Sequence, residues 1–276
     1  VSSANTVTVA AVQMVSKTDV GANLHDAGEL IARAARAGAR LVVLPEYFCI
    51  MGRSDRDKVA VRERDGEGPI QAFLAAEAKK HGIWLIGGTT PLDAQQADRV
   101  KNSSLVYDPQ GVRVARYDKI HLFAFKRGEE SYDEARTITP GSELASFEFQ
   151  PVGGPSLKVG LSVCYDLRFP ELYRGLAPVD LTVVPAAFTA TTGRAHWETL
   201  LRARAIENLC YMLASAQGGK HENGRATFGH SMLIDPWGKV MAMQDEGPGV
   251  VVGTIDTKII AQMRSDLPAL AHRVLK

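Results

Sequence analysis

Cys164 lies in Gly160-Leu-Ser-Val-Cys-Tyr-Asp-Leu-Arg-Phe-Pro-Glu, where a run of buried-strand character hands over to residues that open a helix. A tight strand-to-helix turn exposes the side chain at its apex and points the next backbone N–H groups at the same spot, as a nucleophile requires. Cys49 and Cys210 lack that setting. A lone cysteine is ordinarily a small buried hydrophobe, and both take this reading: Cys210 continues the apolar face of its helix beside Leu209, and Cys49 lies in Tyr-Phe-Cys-Ile-Met with no base adjacent in sequence. Glu46 follows Pro45 at the end of the wholly apolar run Leu41 to Leu44. A carboxylate placed there, with limited water, can shuttle a proton, although glutamates at such positions also serve as helix caps or ion-pair partners. Lys119, in Arg-Tyr-Asp-Lys-Ile-His-Leu-Phe, follows a hairpin. By itself it reads as a solvated surface charge.

The elements that would position these residues follow from periodicity. Thr6 to Val15 alternates as a strand, and Val20, Leu24, Ala27, Ile31 and Ala34 mark one helical face that ends at Gly38. Leu41 to Leu44 is a strand buried on both faces, which delivers Glu46 at its C-terminal end. Gly68-Pro69 announces a second helix, carrying Ile70, Phe73 and Leu74 and stopping at His81-Gly82, before the strand Ile83 to Ile86. A hairpin turns at Asp108-Pro109-Gln110-Gly111, with Lys119 just beyond it. The order then recurs: strand Leu157 to Val163, a helix from Phe169-Pro170, strand Leu181 to Val184, and a helix with Trp197, Leu200, Leu201, Ala205 and Leu209 on one face. Strand Tyr211 to Ala214 leads to a second hairpin, turning at Asp235-Pro236-Trp237-Gly238. Two such halves, packed as two mixed sheets with helices outside, predict a four-layer αββα sandwich in a single domain over residues 1–276.

Composition sets the surroundings. The 276 residues carry 45% hydrophobic and 23% charged residues with a net charge of +1, so neither a basic stripe for nucleic acid nor an acidic tail is present. The expected partner is a small molecule. Three cysteines form no disulfide framework and fit a reducing, cytoplasmic setting. Val1 to Met14 shows no basic leader followed by a long apolar run, and no apolar stretch is long enough to span a bilayer. The seven histidines include no His-Glu-x-x-His, and no Cys-x-x-Cys is present, so no metal site is expected.

Three motifs together, Leu-Pro-Glu-Tyr-Phe around Glu46, Tyr-Asp-Lys-Ile-His-Leu-Phe around Lys119 and Val-Cys-Tyr-Asp-Leu-Arg-Phe-Pro-Glu-Leu around Cys164, resemble the nitrilase superfamily of carbon–nitrogen hydrolases. The resemblance runs from Val7 to about Asp256. It implies an αββα sandwich, no cofactor, and homodimers or larger even assemblies. It also implies a triad in which Cys164 attacks an amide, Glu46 moves protons, and Lys119 with the Tyr165 backbone N–H stabilises the oxyanion. Glu134, in Asp-Glu-Ala-Arg-Thr-Ile-Thr-Pro-Gly, matches a further family glutamate expected to orient Lys119.

Within the superfamily, the stretches Thr-Gly-Arg-Ala-His-Trp-Glu-Thr-Leu-Leu-Arg-Ala-Arg and Gln-Gly-Gly-Lys-His-Glu-Asn-Gly-Arg-Ala-Thr-Phe-Gly-His most resemble the amidases of deaminated glutathione. The ω-amidases of α-ketoglutaramate share the triad and are the alternative, as are nitrilases and aliphatic amidases; a non-enzymatic protein on the same fold is the rival from another class. The resemblance places Arg168 and Thr192 on the substrate carboxylate, with Phe188 as an aromatic wall and Tyr47 also in contact. Arg168 could also pair internally with Asp166 or Glu171, which does not exclude that role. The chain departs from the family pattern at Ala124, where an aspartate is common, and at Arg194, where proline or a small residue is. Both are expected in loops bordering the pocket, with Arg194 binding the leaving group's carboxylate.

Overall fold

The computed structural model describes residues 5–275; the first four of the residues searched for a leader, Val1 to Met14, lie outside them. One sheet contains the parallel strands Thr6–Gln13, Leu41–Val43 and Trp84–Ile86, followed by the antiparallel strands Val100–Tyr107 and Thr90–Asp93, with Arg113–Asp118 also paired to Val100–Tyr107. The second sheet runs Val240–Gln244, Ser231–Ile234, Tyr211–Ala216, Leu181–Ala186, Leu157–Leu161 and Ser146–Phe149, its central three parallel.

Alternation along Thr6–Gln13 shows how the layers form. Val9 and Ala11 join the core between the sheets, with Val159, Val183 and Leu213 opposite, whereas Ala10 and Val12 face outward onto Ala27 and Ile31. Those two belong to the helix Val20–Arg36, whose N-terminus is capped by Asp19 accepting from the Ala22 N–H at 2.7 Å, worth about 1 kcal/mol. The helix Pro69–His81 covers the same face through Ile70 and Leu74. On the other side Leu172 and Tyr173 of the helix Pro170–Leu176, and Trp197, Leu201 and Ala205 of the helix Ala190–Asn208, cover the second sheet. The architecture is therefore the expected αββα sandwich.

Two details differ from expectation. The first sheet is completed by the late strand Gly249–Asp256, antiparallel to Thr6–Gln13 along eight residue pairs, so the two halves of the chain interlock. Leu209 adopts a left-handed backbone (φ 48°) that ends its helix at Asn208. Cys210 thus lies beyond the helix, buried in the core rather than on the helix's apolar face.

Candidate active site

Glu46 emerges beyond the strand Leu41–Val43, and Gly88 sets its path. Gly88 has φ +55°, and a Cβ there would fall 2.1 Å from the Pro45 carbonyl oxygen, so only glycine lets the two strand ends approach. The Glu46 carboxylate is buried, 1% exposed. Its Oε1 accepts from Asn102 Nδ2 (3.0 Å) and Lys119 Nζ (2.9 Å), and its Oε2 from the Ala187 N–H (2.9 Å).

Lys119 follows the strand Arg113–Asp118, and its side chain is wholly buried. Besides Glu46 it donates to Glu134, at 2.9 Å to Oε1 and 2.7 Å to Oε2. Glu134 opens a single 3-10 turn, Glu134–Arg136, capped by Asp133. Its carboxylate also accepts from the Tyr47 hydroxyl and the Phe123 N–H, each at 2.7 Å. Burial alone would discharge Lys119, but the charges of Glu134 and Glu46 outweigh it and hold the ammonium above its ordinary pKa. Burial likewise works to raise Glu134, and Lys119 overcomes it to hold that carboxyl below the usual range.

Cys164 begins the 3-10 turn Cys164–Arg168, three residues past the strand Leu157–Leu161. Its φ of +49° lies in the left-handed region, a strain of about 1–3 kcal/mol that the surroundings must hold in place. Asp166 supplies much of that hold. Fully buried, it accepts from the Val163 N–H (2.8 Å) and Tyr117 hydroxyl (2.7 Å) through Oδ2, and from the His121 N–H (3.0 Å) through Oδ1, which also lies 2.8 Å from His121 Nδ1. One carboxylate thus ties the Cys164 turn to residues on both sides of Lys119. Arg204 anchors the same turn, its Nε and Nη2 donating to the Leu167 carbonyl at 3.0 and 2.9 Å.

Burial pushes the Cys164 thiol well above its ordinary pKa; the charges of Glu46 and Glu134 add to this, while Lys119 opposes it. The resting group is therefore a neutral thiol, and attack needs a base close by. The arrangement offers a thiol, a carboxylate and a fixed cation in a dry site, the components of acyl transfer through a covalent intermediate.

The remaining predicted residues divide. Phe188 and Thr192 line a cavity of about 10 Å³ together with Cys164, Tyr165, Phe123 and Ala187. Thr192 lies in the first turn of the helix Ala190–Asn208, not in a loop, and its hydroxyl is 2.8 Å from that of Thr189, the helix cap. Arg168 stacks over the Phe188 and Tyr165 rings (5.3 and 5.9 Å to the centroids) and reaches His196 Nδ1 at 3.3 Å. Asp166 is not its partner, because that carboxylate is filled by the donors above. Tyr47 touches Glu134 through its hydroxyl. Arg194 is not brought to the cavity. It is exposed on the helix two residues past Thr192, about 200° around the axis at 3.6 residues per turn, so the expectation that it borders the pocket from a loop does not hold. Ala124 likewise begins the strand Ala124–Arg127.

Sequence reading passed over Asn102 and the Ala187 N–H on Glu46, and weighed Asp166 only as a partner for Arg168. Asn102 carried a signal, an amide inside the otherwise β-forming stretch Val100–Tyr107. The other two roles depend on contacts across 141 and 45–49 residues. Among the described residues, no group of three or more His, Cys, Asp or Glu could hold a metal ion.

Comparison with known proteins gives a consistent result. The pattern of the Carbon-nitrogen hydrolase family matches residues 8–265. The chain is 40% identical to the deaminated glutathione amidase of Synechocystis sp. over 269 residues, covering 96% of this chain and 97% of that protein. The crystal structure of Saccharomyces cerevisiae Nit3, described as a member of branch 10 of the nitrilase superfamily, superposes with a TM-score of 0.84 at 30% identity, covering 96% of this chain and 95% of that one. The C. elegans NitFhit protein gives a TM-score of 0.85 at 36% identity; 99% of this chain is covered, and it spans 66% of the NitFhit chain.

Proposed function

The chain belongs to the carbon–nitrogen hydrolase family, and on that footing we propose that it hydrolyses deaminated glutathione to α-ketoglutarate and Cys-Gly, with Cys164 as the nucleophile. What carries the reading is the Lys119 ammonium held between Glu46 and Glu134, with Cys164 sharing a cavity with Ala187, whose N–H donates to Glu46. Glu46 takes the thiol proton as sulfur attacks the amide carbon. The oxyanion that forms is stabilised by Lys119 and the Tyr165 backbone N–H, each donor lowering the barrier by about 3 kcal/mol. Glu46 then gives its proton to the departing nitrogen, leaving a thioester. A water deprotonated by Glu46 attacks the thioester, and the acid and the thiol are released. Glu134 keeps Lys119 in position and is a positioning residue.

On the acyl side, Arg168 and Thr192 receive the keto-acid carboxylate, with Phe188 beneath it. A guanidinium packed over two rings, with Nη1 reaching His196, keeps its remaining N–H groups for such a carboxylate. The relatives named deaminated glutathione amidase support this substrate over α-ketoglutaramate, the ω-amidase alternative. The test is a kinetic comparison of deaminated glutathione, α-ketoglutaramate, simple aliphatic amides and the matching nitriles. Deaminated glutathione is expected to have the highest kcat/KM, and Arg168→Ala to lower that value roughly 100-fold on both keto-acid amides, because a poorly oriented amide seldom reaches attack geometry. A faster reaction with α-ketoglutaramate would make the ω-amidase reading the correct one, and faster turnover of nitriles the nitrilase reading.

The same proposal takes the chain as one domain acting as a homodimer or a larger even assembly in the cytoplasm. The three cysteines are free, in keeping with a reducing compartment. No helix among the described residues is long and apolar enough to cross a membrane. Leu267, Val274 and Leu275 are exposed near the C-terminus, apolar surface that a second copy would cover together with the helix Pro170–Leu176. Sedimentation at micromolar concentration is expected to give at least twice the 29.9 kDa chain mass; a purely monomeric species would contradict the assembly.

A further inference from the structure

The cavity at Cys164, about 10 Å³, has room for little more than one water. A second cavity of about 470 Å³ is walled by Tyr47, Met51, Lys58, Tyr132, Asn223 and Arg225, within the size range of small-molecule sites. Residues of the two linings pack against one another. Tyr47 and Met51 pack against Ala187, which lines the Cys164 cavity. Tyr132 meets Phe123, another residue of that lining, at 5.7 Å between ring centroids. Arg225 Nη2 donates to the Ala187 carbonyl at 2.8 Å, and the Ala187 N–H in turn donates to Glu46.

Charge in the second cavity is layered. Lys58 is largely buried, its side chain 13% exposed, and its ammonium lies 5.5 Å from the Tyr47 ring centroid. Its polar contacts are long, 3.4 Å to both Asp55 and Thr137. Arg225 lies 4.9 Å over the Tyr132 ring, and its buried Nε has no hydrogen-bond partner among the described residues. The acidic residues are at the rim or engaged: Asp55 and Glu129 are exposed, and Glu130 accepts from the Thr191 hydroxyl at 2.8 Å. Arg53 is also an exposed rim residue. Behind that rim the two incompletely satisfied cations favour an anionic group that displaces water, and Arg53 offsets part of the acidic charge such a group must pass.

We propose that this cavity is the leaving-group subsite of the amidase, taking a peptide amine that ends in a carboxylate, with Lys58 and Arg225 as the cations that recognise it. The inference rests on the deaminated glutathione reading, since only a substrate with a carboxylated amine half would use the site. It also fits the chemistry, because Glu46 meets Ala187 at the partition, where the departing nitrogen must receive its proton. The role first expected of Arg194 passes to these two residues.

The experiment compares deaminated glutathione with its C-terminal carboxamide, which keeps the scissile bond and loses one charge. The wild-type protein is expected to favour the carboxylate by about tenfold or more in kcat/KM, and Lys58→Met to reduce that preference to about threefold or less. Cysteinylglycine is expected to inhibit the wild-type protein more strongly than cysteinylglycinamide, a measurement that stands even if the variant does not fold. Equal handling of carboxylate and carboxamide, equal inhibition by the two products, or a preference retained in Lys58→Met would overturn the subsite and leave the amidase reading in place. Failure to hydrolyse either deaminated glutathione or α-ketoglutaramate, with aliphatic amides still turned over, would overturn the substrate reading and the subsite with it.

Discussion

Cys164→Ala is expected to lower amidase turnover by about 10⁴-fold or more, the scale on which removal of a covalent nucleophile acts, while leaving thermal stability within about 1 kcal/mol of the parent. Alanine retains the Cβ, so the left-handed backbone at this position is no more strained than before, and the side chain lost is a single sulfur at the edge of a small cavity. The contrast is with the other two thiols. Burial pushes Cys49 and Cys210 up to about 12, as it also raises Cys164; what the two lack is the charged setting of Glu46, Lys119 and Glu134 that acts on Cys164. The Cys210 thiol packs in the core and lies 3.9 Å from the Thr182 hydroxyl, and Cys210→Ala is expected to keep most activity. Iodoacetamide treatment followed by peptide mapping should find the label on Cys164 in step with lost activity. Near-normal turnover by Cys164→Ala would refute its assignment as the nucleophile.

Lys119→Ala is expected to remove activity and also to weaken the fold. It leaves Glu46 and Glu134 facing the same buried space without the cation that both touch, and breaking a buried ion pair from one side costs about 3–5 kcal/mol. For a domain of this size that corresponds to a fall in Tm of roughly 10 °C. The pH dependence follows from the two shifts. Glu134 is held below its ordinary 4.5, so the stability it contributes is present above that value and is lost as pH falls through its lower folded value. Lys119 is held above its ordinary 10.5, so its contribution is complete below 10.5 and is lost only as pH rises through the higher folded value. Without Lys119, burial raises Glu134 unopposed, so the stability gap between wild type and Lys119→Ala should already narrow above pH 4.5, where the variant's glutamate can protonate, and narrow further as the wild-type Glu134 titrates below 4.5. Thermal melts across pH 3.5–8 on the order of half a unit apart would resolve this; a gap that stays constant through that range would mean that the ion pair contributes nothing to folding.

These two variants also show what can be read at each level. Local pattern was enough to place Glu46 and Cys164. An apolar run ending in Pro-Glu, and a strand run breaking at Cys before Phe-Pro-Glu, each put a reactive side chain just past the C-terminal end of a parallel strand, because period-2 and period-3.6 hydrophobic spacing is dictated by neighbouring residues. The layered sandwich followed from the same spacing, since wholly apolar strands require cover on both faces. The late strand Gly249–Asp256 and the 3-10 turns were not legible in this way, because their pairing partners are far away or their hydrogen-bonded runs are very short.

Lys119 marks the limit most clearly. Alone in its motif it is an ordinary surface lysine; only the tertiary structure buries it, by bringing Glu46 from 73 residues away and Glu134 from 15 to the same ammonium. A buried charge is tolerable only where its partners converge, and convergence is a property of the assembled sheets rather than of any window of sequence. The same reason separates Arg194 from Arg225. Sequence alone puts Arg194 at the pocket from a loop and does not single out Arg225, yet helix phase turned the first to solvent while a hairpin placed the second over Tyr132, against the carbonyl of Ala187. Residue types and their local rhythm determined which chemistry the chain could perform, whereas contacts across tens to hundreds of residues decided which charged side chains stand where that chemistry can use them.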